Sequence, residues 1–162
     1  MTYPQKLARS HPAAMIATWF GAGRLPIMPG TWGSVAALPF AWVIHSLWGS
    51  VGMLAASGLL FVVGLWASKM LADSMGQKDP GEIVVDEVVG MWIAVALVAP
   101  NVSLYVIGFV LFRGFDIFKP WPVNWADQKL PGALGVMVDD VLAGIYALVI
   151  LAFLVGLGVG AG

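Results

Sequence analysis

Long apolar runs separated by short polar segments dominate the pattern of this 162-residue chain. Residues 35–68 are predominantly apolar but are interrupted by Gly49 and Ser50. Because glycine and serine are common turn residues, this pattern predicts a helical hairpin with a very short turn. A further apolar run at residues 136–159 is long enough to form one membrane-spanning helix.

The apolar run at residues 88–112 has the length of a single membrane span, but Pro100 and Asn101 lie in its middle. Proline disrupts the hydrogen bonding of a helix interior, so the run is predicted to form two short helices. These helices become longer if the flanking residues 82–87 and 113–118 are helical as well.

The amino-acid composition indicates whether the chain lies in water or in a membrane. Hydrophobic residues make up 60% of the sequence and charged residues 10%, and the mean hydropathy is +0.89. These values predict an integral membrane protein, and the length suits one domain over residues 1–162. The net charge of −1 argues against nucleic-acid binding. The absence of cysteine excludes disulfides, zinc-thiolate sites and cysteine-based phosphatase chemistry.

The basic residues predict which helix ends face the cytoplasm. They form three groups, which are Lys6, Arg9 and Arg24, then Lys69 and Lys78, then Arg113, Lys119 and Lys129. Lys and Arg favour the cytoplasmic side, and all three groups reach that side only if residues 88–112 cross the membrane twice. The predicted fold is therefore all-α, a polytopic bundle of about five membrane helices, two of them short. Its N-terminus lies inside and its C-terminus outside.

The N-terminal segment MTYPQKLARSHPAAMIATWFGAG has basic residues followed by apolar ones, as a signal peptide does. Trp19 and Phe20 fit a membrane boundary better than a cleavage site, so the segment is interpreted as a mature amphipathic or interfacial one. Trp32, Trp121 and Trp125, together with Trp19, are predicted to lie in an aromatic belt near the lipid headgroups.

Five carboxylates lie beside the apolar runs, where an unpaired acid is costly and usually functional. They are Asp86 and Glu87 in VVDEVVG, Asp116 in FRGFDIFKP, and Asp139 and Asp140 in VMVDDVLAG. In the predicted topology all five meet at one membrane face. Mg²⁺ takes oxygen ligands together with substrate phosphate oxygens, so a site for one or two magnesium ions is predicted. Asp73 and Asp127 are interpreted as solvated, and Asp79 as a residue that supports the site.

Two glycines follow acids at the spacing of one helical turn. Gly90 lies four residues after Asp86, and Gly144 lies four residues after Asp140, so each glycine shares a helix face with its acid. Without a side chain, these positions leave room either for close approach of two helices or for a ligand.

The segment GAGRLPIMPGTWGS precedes the first apolar run and combines turn-forming prolines and glycines with two hydroxyl groups. Backbone N–H groups in such a turn, at the start of a helix, can bind an anion. Gly30, Thr31, Gly33 and Ser34 are therefore predicted to contact a phosphate group. The alternative for Ser34 is a helix N-cap.

In FRGFDIFKPWP, Arg113, Asp116 and Lys119 recur every three residues along one side of a helix that Pro120 ends. A guanidinium and an ammonium group beside a carboxylate suit a metal-bridged phosphate, because they neutralise the oxygens that the metal leaves free. The alternative is a structural network of salt bridges at the membrane boundary, in which the acids pair with Arg113 and Lys119.

Four motifs, LPIMPGTWGS, DPGEIVVDEVVGMW, FRGFDIFKPWP and PGALGVMVDDVLAG, in this order and spacing, resemble the phosphatidylglycerophosphatase A family. The resemblance covers roughly residues 15–150. It implies a Mg²⁺-dependent lipid phosphatase of the bacterial inner membrane, surrounded by membrane phospholipids. Such an enzyme converts phosphatidylglycerophosphate to phosphatidylglycerol. One departure from the family pattern is Ala133 in PGALG, where a second glycine is expected.

The histidines bear on the mechanism. His11 lies in the N-terminal segment, and His45 is interpreted as a packed or hydrogen-bonded residue of an apolar helix, which disfavours a phosphohistidine mechanism. Attack by water at a carboxylate-held Mg²⁺ is the simplest route, and a covalent intermediate on an Asp or on Thr31 stays open. The predicted catalytic residues are Asp86, Glu87, Arg113, Asp116, Lys119 and Asp140.

Other functional classes fit the pattern less well. A small transporter or ion channel would also keep acids in membrane helices, but near the midplane of the membrane. A CDP-alcohol phosphatidyltransferase would share the Mg²⁺ and the lipid substrate, but its DxxDGxxAR pattern is absent. A purely structural membrane subunit would explain neither the PGTWGS segment nor the acids.

Overall fold

The computed structural model describes residues 7–160, and every regular element within them is helical. The α-helices are α1 (Pro12–Ala17), α2 (Pro29–Met75), α3 (Val85–Val95), α4 (Val102–Phe118), α5 (Val123–Lys129) and α6 (Gly132–Gly156). A short 3-10 turn, Ala22–Arg24, lies between α1 and α2. The predicted all-α class is confirmed for the described part of the chain.

Helix α2 folds back on itself at Gly49, whose φ of 60° and ψ of −162° are not helical. A Cβ atom on Gly33 would lie 2.7 Å from the side chain of Val84, and one on Gly64 would lie 3.4 Å from that of Val85. Residues 33 and 64 therefore contact two residues that are adjacent in sequence, Val84 and Val85. A continuous helix would separate residues 33 and 64 by about 46 Å. The predicted hairpin is confirmed, and glycine tolerates the left-handed φ that its turn requires.

Two helices of the described chain are long and apolar enough to cross a membrane, namely α2 and α6. The turn divides α2 into two limbs, residues 29–48 and 50–75. Large apolar side chains on the outside of the second limb are exposed, among them Val51 at 80% and Leu59 at 69%. A helix that is apolar on its outer face as well as its inner one is typical of an apolar environment.

Helices α3 and α4 form the second predicted pair, separated by a break at residues 96–101. The Asn101 side chain caps α4 by accepting a hydrogen bond from the backbone N–H of the third helical residue at 3.1 Å. Gly90 lies against Phe112, and Gly108 lies against Val95, so the two helices run antiparallel. The predicted break is confirmed, and both helices extend beyond the apolar run at the end opposite the break.

Helix α3 also packs closely on α6, with glycines at the contact. A Cβ atom on Gly144 would lie 2.5 Å from the carbonyl oxygen of Gly90, and one on Gly90 would lie 2.7 Å from that of Asp140. Of the two predicted uses of these glycines, the structure shows close helix approach. The contact fixes the spacing of the two helices at the level of their acids.

Replacing Gly144 with alanine is expected to lower the free energy of unfolding by about 1–3 kcal/mol, because the new Cβ collides with backbone that cannot rotate away. Gly58 is a matched control, since a Cβ there meets nothing within 4 Å. Gly58→Ala should leave stability equal or raise it by about 0.5–1 kcal/mol. Thermal unfolding in detergent measures both, and equal stability of the Gly144 and Gly58 variants would contradict the close contact.

One face of the N-terminal segment packs against the rest of the protein, and the opposite face is exposed. Ala13 and Ala17 of α1 are fully buried, and Trp19 is only 7% exposed, with its ring centroid 5.7 Å from that of Trp92. The prediction of Trp19 in an aromatic belt is wrong, because two left-handed residues after α1 reverse the chain and leave this indole in the core. Residues 1–6 of the segment lie outside the described residues. The other predicted belt residues are exposed, namely Trp32, Trp121 and Trp125.

Candidate active site

Two helices bring three carboxylates together at one end of the bundle. Asp86 and Glu87 occupy the first turn of α3, where negative charge is favourable, and Asp140 lies in the third turn of α6. Each residue offers an oxygen, and these oxygens all lie within 4.8 Å of one another. We call Asp86, Glu87 and Asp140 the acidic trio. Helix α6 begins at Gly132, four residues before the predicted start at position 136, so Asp140 lies deeper in the helix than predicted.

The acidic trio has the properties of a cation site. Asp86 is 7% exposed and Asp140 is 3% exposed. Asp86 Oδ1 and Glu87 Oε2 are buried and have no hydrogen-bond partner among the described residues. Unsatisfied buried carboxylate oxygens are costly unless a cation compensates them. Their oxygen chemistry fits Mg²⁺ or another hard divalent ion.

Arg113 is the cation that the chain itself supplies beside the trio. Its Nη1 atom lies 2.6 Å from Asp116 Oδ2 and 3.9 Å from Glu87 Oε1. Asp116 also interacts electrostatically with Asp140. The guanidinium thus contacts two of these four carboxylates, and the four together carry a strong excess of negative charge if all are ionised. Arg113 Nε is buried without a hydrogen-bond partner in the described chain, so this side chain retains an unused donor.

The start of α2 closes the site on another side. A Cβ atom on Gly30 would collide with Glu87 Oε1 and would lie 3.3 Å from Arg113 Nη1. Gly30 is the second residue of α2, where the backbone N–H has no intrahelical acceptor. The hydroxyl of Thr31, the next residue, is buried and has no partner within residues 7–160. Unused donors from α2 and α4 therefore border the carboxylates.

Gly33 and Ser34, the other two predicted phosphate contacts of the PGTWGS segment, make structural contacts. Helix α2 begins at Pro29, earlier than the sequence pattern predicted, so Ser34 lies inside the helix and is not its N-cap. Its hydroxyl donates a hydrogen bond to the carbonyl of Gly30 at 2.8 Å. Gly33 packs against the side chain of Val84, the residue just before α3. These contacts hold the start of α2 against α3.

Lys119 forms a second cluster beside the first. Its Nζ atom lies 2.6 Å from Asp139 Oδ2 and 3.2 Å from Asp127 Oδ1. Burial alone would lower the pKa of the Lys119 ammonium group, but the hydrogen bonds and charges of the two acids outweigh burial and raise that pKa above its ordinary value. The ammonium group therefore remains charged and ties together the end of α4, α5 and α6.

Asp139 lies apart from the trio although it is adjacent to Asp140 in sequence. Consecutive helical residues point about 100° apart, so the two carboxyl groups face different neighbours. Asp139 Oδ2 accepts the hydrogen bond of Lys119, and Oδ1 accepts that of the Asp140 backbone N–H at 3.0 Å. Of the five predicted metal ligands, the structure groups three in the trio, pairs Asp116 with Arg113 and pairs Asp139 with Lys119.

Sequence reasoning missed the contribution of α5 to this cluster. Asp127 was interpreted as solvated, but it pairs with Lys119. Asp79 is also an electrostatic neighbour of Lys119, and burial raises the pKa of the Asp79 carboxyl group although the lysine charge opposes the shift. The seven-residue α5 has too few residues for a periodic pattern to reveal it.

The histidines lie away from the acids. His11 caps α1, with its Nδ1 accepting the backbone N–H of Ala13 at 3.1 Å. His45 Nε2 lies 3.3 Å from the hydroxyl of Ser50 across the α2 turn, at the end of the bundle opposite the trio. The interpretation of His45 as a hydrogen-bonded helix residue is confirmed.

Comparison with known proteins identifies the family of this chain. The family model described as Phosphatidylglycerophosphatase A matches residues 15–155. A protein of Escherichia coli named Phosphatidylglycerophosphatase A is 39% identical over 151 residues, which cover 92% of this chain and 87% of that one. Its namesake in Haemophilus influenzae is 39% identical over 148 residues, or 90% of each chain.

A third relative has a different name. It is a Bacteroides thetaiotaomicron protein named Putative phosphatidylinositol-3-phosphatase, 38% identical over 145 residues, covering 85% of this chain and 90% of that one. No solved structure matches the chain. The family match over most of the chain and the two namesakes confirm the resemblance seen in the motifs, so this protein belongs to the phosphatidylglycerophosphatase A family and is a phosphatase.

Proposed function

We propose that this protein hydrolyses phosphatidylglycerophosphate to phosphatidylglycerol and inorganic phosphate in a Mg²⁺-dependent reaction of phospholipid biosynthesis. The names of the two closely similar relatives support the substrate. The observation that carries the chemistry is the acidic trio, whose oxygens lie within 4.8 Å of one another beside the unused Arg113 Nε donor. This arrangement suits a cation and a phosphate group side by side.

Asp86, Glu87 and Asp140 would hold the metal ion, and Asp116 lies close enough to Asp140 to support them. A bound Mg²⁺ would polarise the phosphoryl group and offset the charge of the carboxylates. Asp139 is a positioning residue in this account. It holds the backbone of Asp140 and the ammonium group of Lys119, rather than the ion itself.

Arg113 would bind phosphoryl oxygens through its planar fork of donors. The Gly30 N–H at the start of α2 and the buried Thr31 hydroxyl supply further donors on the same side. Gly33 and Ser34 hold the first turns of α2 in place, and so position the Gly30 N–H and the Thr31 hydroxyl. Lys119, engaged by two acids, contributes a fixed positive charge near the site.

Direct attack by water is the simplest reaction that these residues support. A bond forms between phosphorus and the water oxygen, and the bond from phosphorus to the lipid oxygen breaks. The water loses a proton and the leaving lipid oxygen gains one, so that this oxygen becomes a hydroxyl of phosphatidylglycerol. Arg113 and the α2 amide would stabilise the charge that develops on the phosphoryl oxygens. The alternative is a covalent intermediate on Thr31 or an Asp, and trapping a phosphoenzyme would establish it.

The site is proposed to face the cytoplasm of a bacterial inner membrane. The two limbs of α2 together with α3, α4 and α6 would be the five membrane helices, of which α3 and α4 are short. The acidic trio, Arg113 and Lys119 all lie at the end of the bundle that carries the basic residues, which favour the cytoplasmic side.

Single cysteines test this orientation, since the natural chain has none. Ser50→Cys and Ser103→Cys should react with a membrane-impermeant thiol reagent from the periplasm, because both lie at the helix turns opposite the trio. Gln128→Cys, exposed on α5, should react only after the membrane is made permeable. Labelling of position 128 from outside would contradict the proposed sidedness.

Phosphate release by the purified protein tests the function itself. Phosphatidylglycerophosphate should be hydrolysed with Mg²⁺, activity should vanish with EDTA, and added Mg²⁺ should restore it. Full activity in excess EDTA would contradict the metal mechanism. The absence of any turnover with Mg²⁺ present would contradict the proposed substrate.

The Bacteroides relative suggests phosphatidylinositol 3-phosphate as a second candidate substrate. Both lipids carry a phosphate monoester, so the same trio and Arg113 would serve either one. A competition assay with the two lipids in one micelle measures the ratio of kcat/KM directly. Preference for the glycerophosphate lipid supports the proposal, and preference for the inositol lipid replaces it.

A further inference from the structure

A small polar cavity lies outside the acidic trio and is used by nothing in the proposed reaction. Its volume is about 150 Å³. It lies between the chain before α1, the 3-10 turn, the end of α2 and the segment before α3. Its polar side chains are Arg9, Arg24, Ser74 and Glu82, and Leu71 and Met75 form part of an apolar wall.

The charges around this cavity favour an anion. Two guanidinium groups and one carboxylate line it, so positive charge is in excess. Arg24 Nε lies 3.6 Å from Glu82 Oε2, and Arg24 Nη2 donates to the backbone carbonyl of Arg9 at 3.5 Å. Both contacts are long for charge-assisted hydrogen bonds, so Arg24 keeps most of its five donors for another partner.

The size of the cavity restricts that partner. A volume of about 150 Å³ is well above what a single water molecule needs. The cavity therefore has room for a tetrahedral oxyanion. The apolar wall from Leu71 and Met75 suits the first carbon atoms of an ester.

We propose that Arg9 and Arg24 bind a phosphate-type oxyanion in this cavity, either inorganic phosphate or the phosphate of a phospholipid headgroup. The site is separate from the acidic trio and needs no metal. It lies at the same end of the bundle, since Glu82 is four residues before Asp86 and its backbone packs against Gly23. An anion bound here would compete with Glu82 for Arg24, and so would act on the segment that leads into α3.

Inorganic phosphate, titrated by calorimetry into the detergent-solubilised protein in EDTA, provides the first test. Arg24→Gln and Arg9→Gln should each weaken binding about tenfold, because each removes charge-assisted hydrogen bonds. Glu82→Gln should tighten binding, because it removes a competing carboxylate from Arg24. This opposite sign cannot arise from a variant that merely fails to fold.

Two control variants distinguish phosphate binding in this cavity from phosphate binding at other cationic residues. Lys69→Gln removes an exposed cation that is paired with Asp73, and it should leave phosphate binding unchanged. Arg113→Ala removes the phosphate-binding guanidinium beside the acidic trio, so the phosphate binding that persists in this variant belongs to the cavity. Equal affinity in wild type, Arg9→Gln and Arg24→Gln would overturn the proposal, as would loss of binding in Arg113→Ala alone.

A second titration, with short-chain phosphatidic acid, distinguishes the two sources of the phosphate group. Binding of both probes with the same dependence on Arg24 identifies a general oxyanion site. Binding of the lipid alone, lost in Arg24→Gln, identifies a headgroup site. Failure of both probes to bind overturns the proposal, and leaves the phosphatase activity of the acidic trio as a separate result.

Discussion

Replacing Asp86 or Asp140 with asparagine is expected to lower turnover of phosphatidylglycerophosphate by a factor on the order of 10² to 10³. Each change removes one negative charge and one strong oxygen ligand from the acidic trio. The fold should persist, because asparagine has nearly the same shape and the lost charge is not needed to balance a partner in the chain. The half-saturating concentration of Mg²⁺ should rise together with the loss of turnover.

Two matched variants sharpen this prediction. Asp73→Asn changes an exposed acid that pairs with Lys69, and its kinetics should equal those of the wild type. Asp139→Asn should lower turnover by about tenfold with little change in Mg²⁺ dependence, since Asp139 positions Asp140 and Lys119. Wild-type kinetics in Asp86→Asn and Asp140→Asn would place the metal site elsewhere.

Replacing Arg113 with alanine is expected to lower turnover by a factor on the order of 10² to 10³, as the loss of one preorganised donor group does. The guanidinium lies 2.6 Å from Asp116 and has a buried, unused Nε. Arg113→Lys keeps the charge but loses the planar fork, so its turnover should lie between those of alanine and arginine.

The KM and kcat values of the Arg113 variants identify the step in which this residue acts. A loss of kcat means that the guanidinium stabilises the transition state, whereas a rise in KM alone means that it binds the ground-state phosphate. Lys69→Ala is the control, because this cation is exposed and pairs with Asp73, which is not a member of the acidic trio. Kinetics like those of the wild type in both Arg113 variants would mean that the phosphate binds elsewhere.

Much of the helical architecture could be predicted because the signals are local. Gly49 and Pro100 interrupt otherwise continuous apolar runs, and the structure has a turn or a break at each. The glycine spacing that follows Asp86 and Asp140 indicated either close helix approach or room for a ligand, and the structure shows close approach of α3 and α6. Such features depend on a few residues and their spacing, not on distant contacts.

The composition of the site could be predicted, but not the pairing of its charges. Asp139 and Asp140 are identical and adjacent in sequence, and only the rotation of α6 decides which one faces α3. The partners of Lys119 come from α5 and α6, and no local pattern relates them. Burial of Trp19 likewise depends on two left-handed residues that sequence pattern does not predict.

The most direct test of the account is binding of Mn²⁺, a paramagnetic substitute for Mg²⁺, to the purified protein, followed by electron paramagnetic resonance. The wild type should hold at least one Mn²⁺ per chain, Mg²⁺ should displace it, and Asp86→Asn and Asp140→Asn should each weaken its binding severalfold or more. Asp73→Asn should bind as the wild type does. An absence of bound Mn²⁺, or equal binding in all four proteins, would contradict a metal site at the acidic trio.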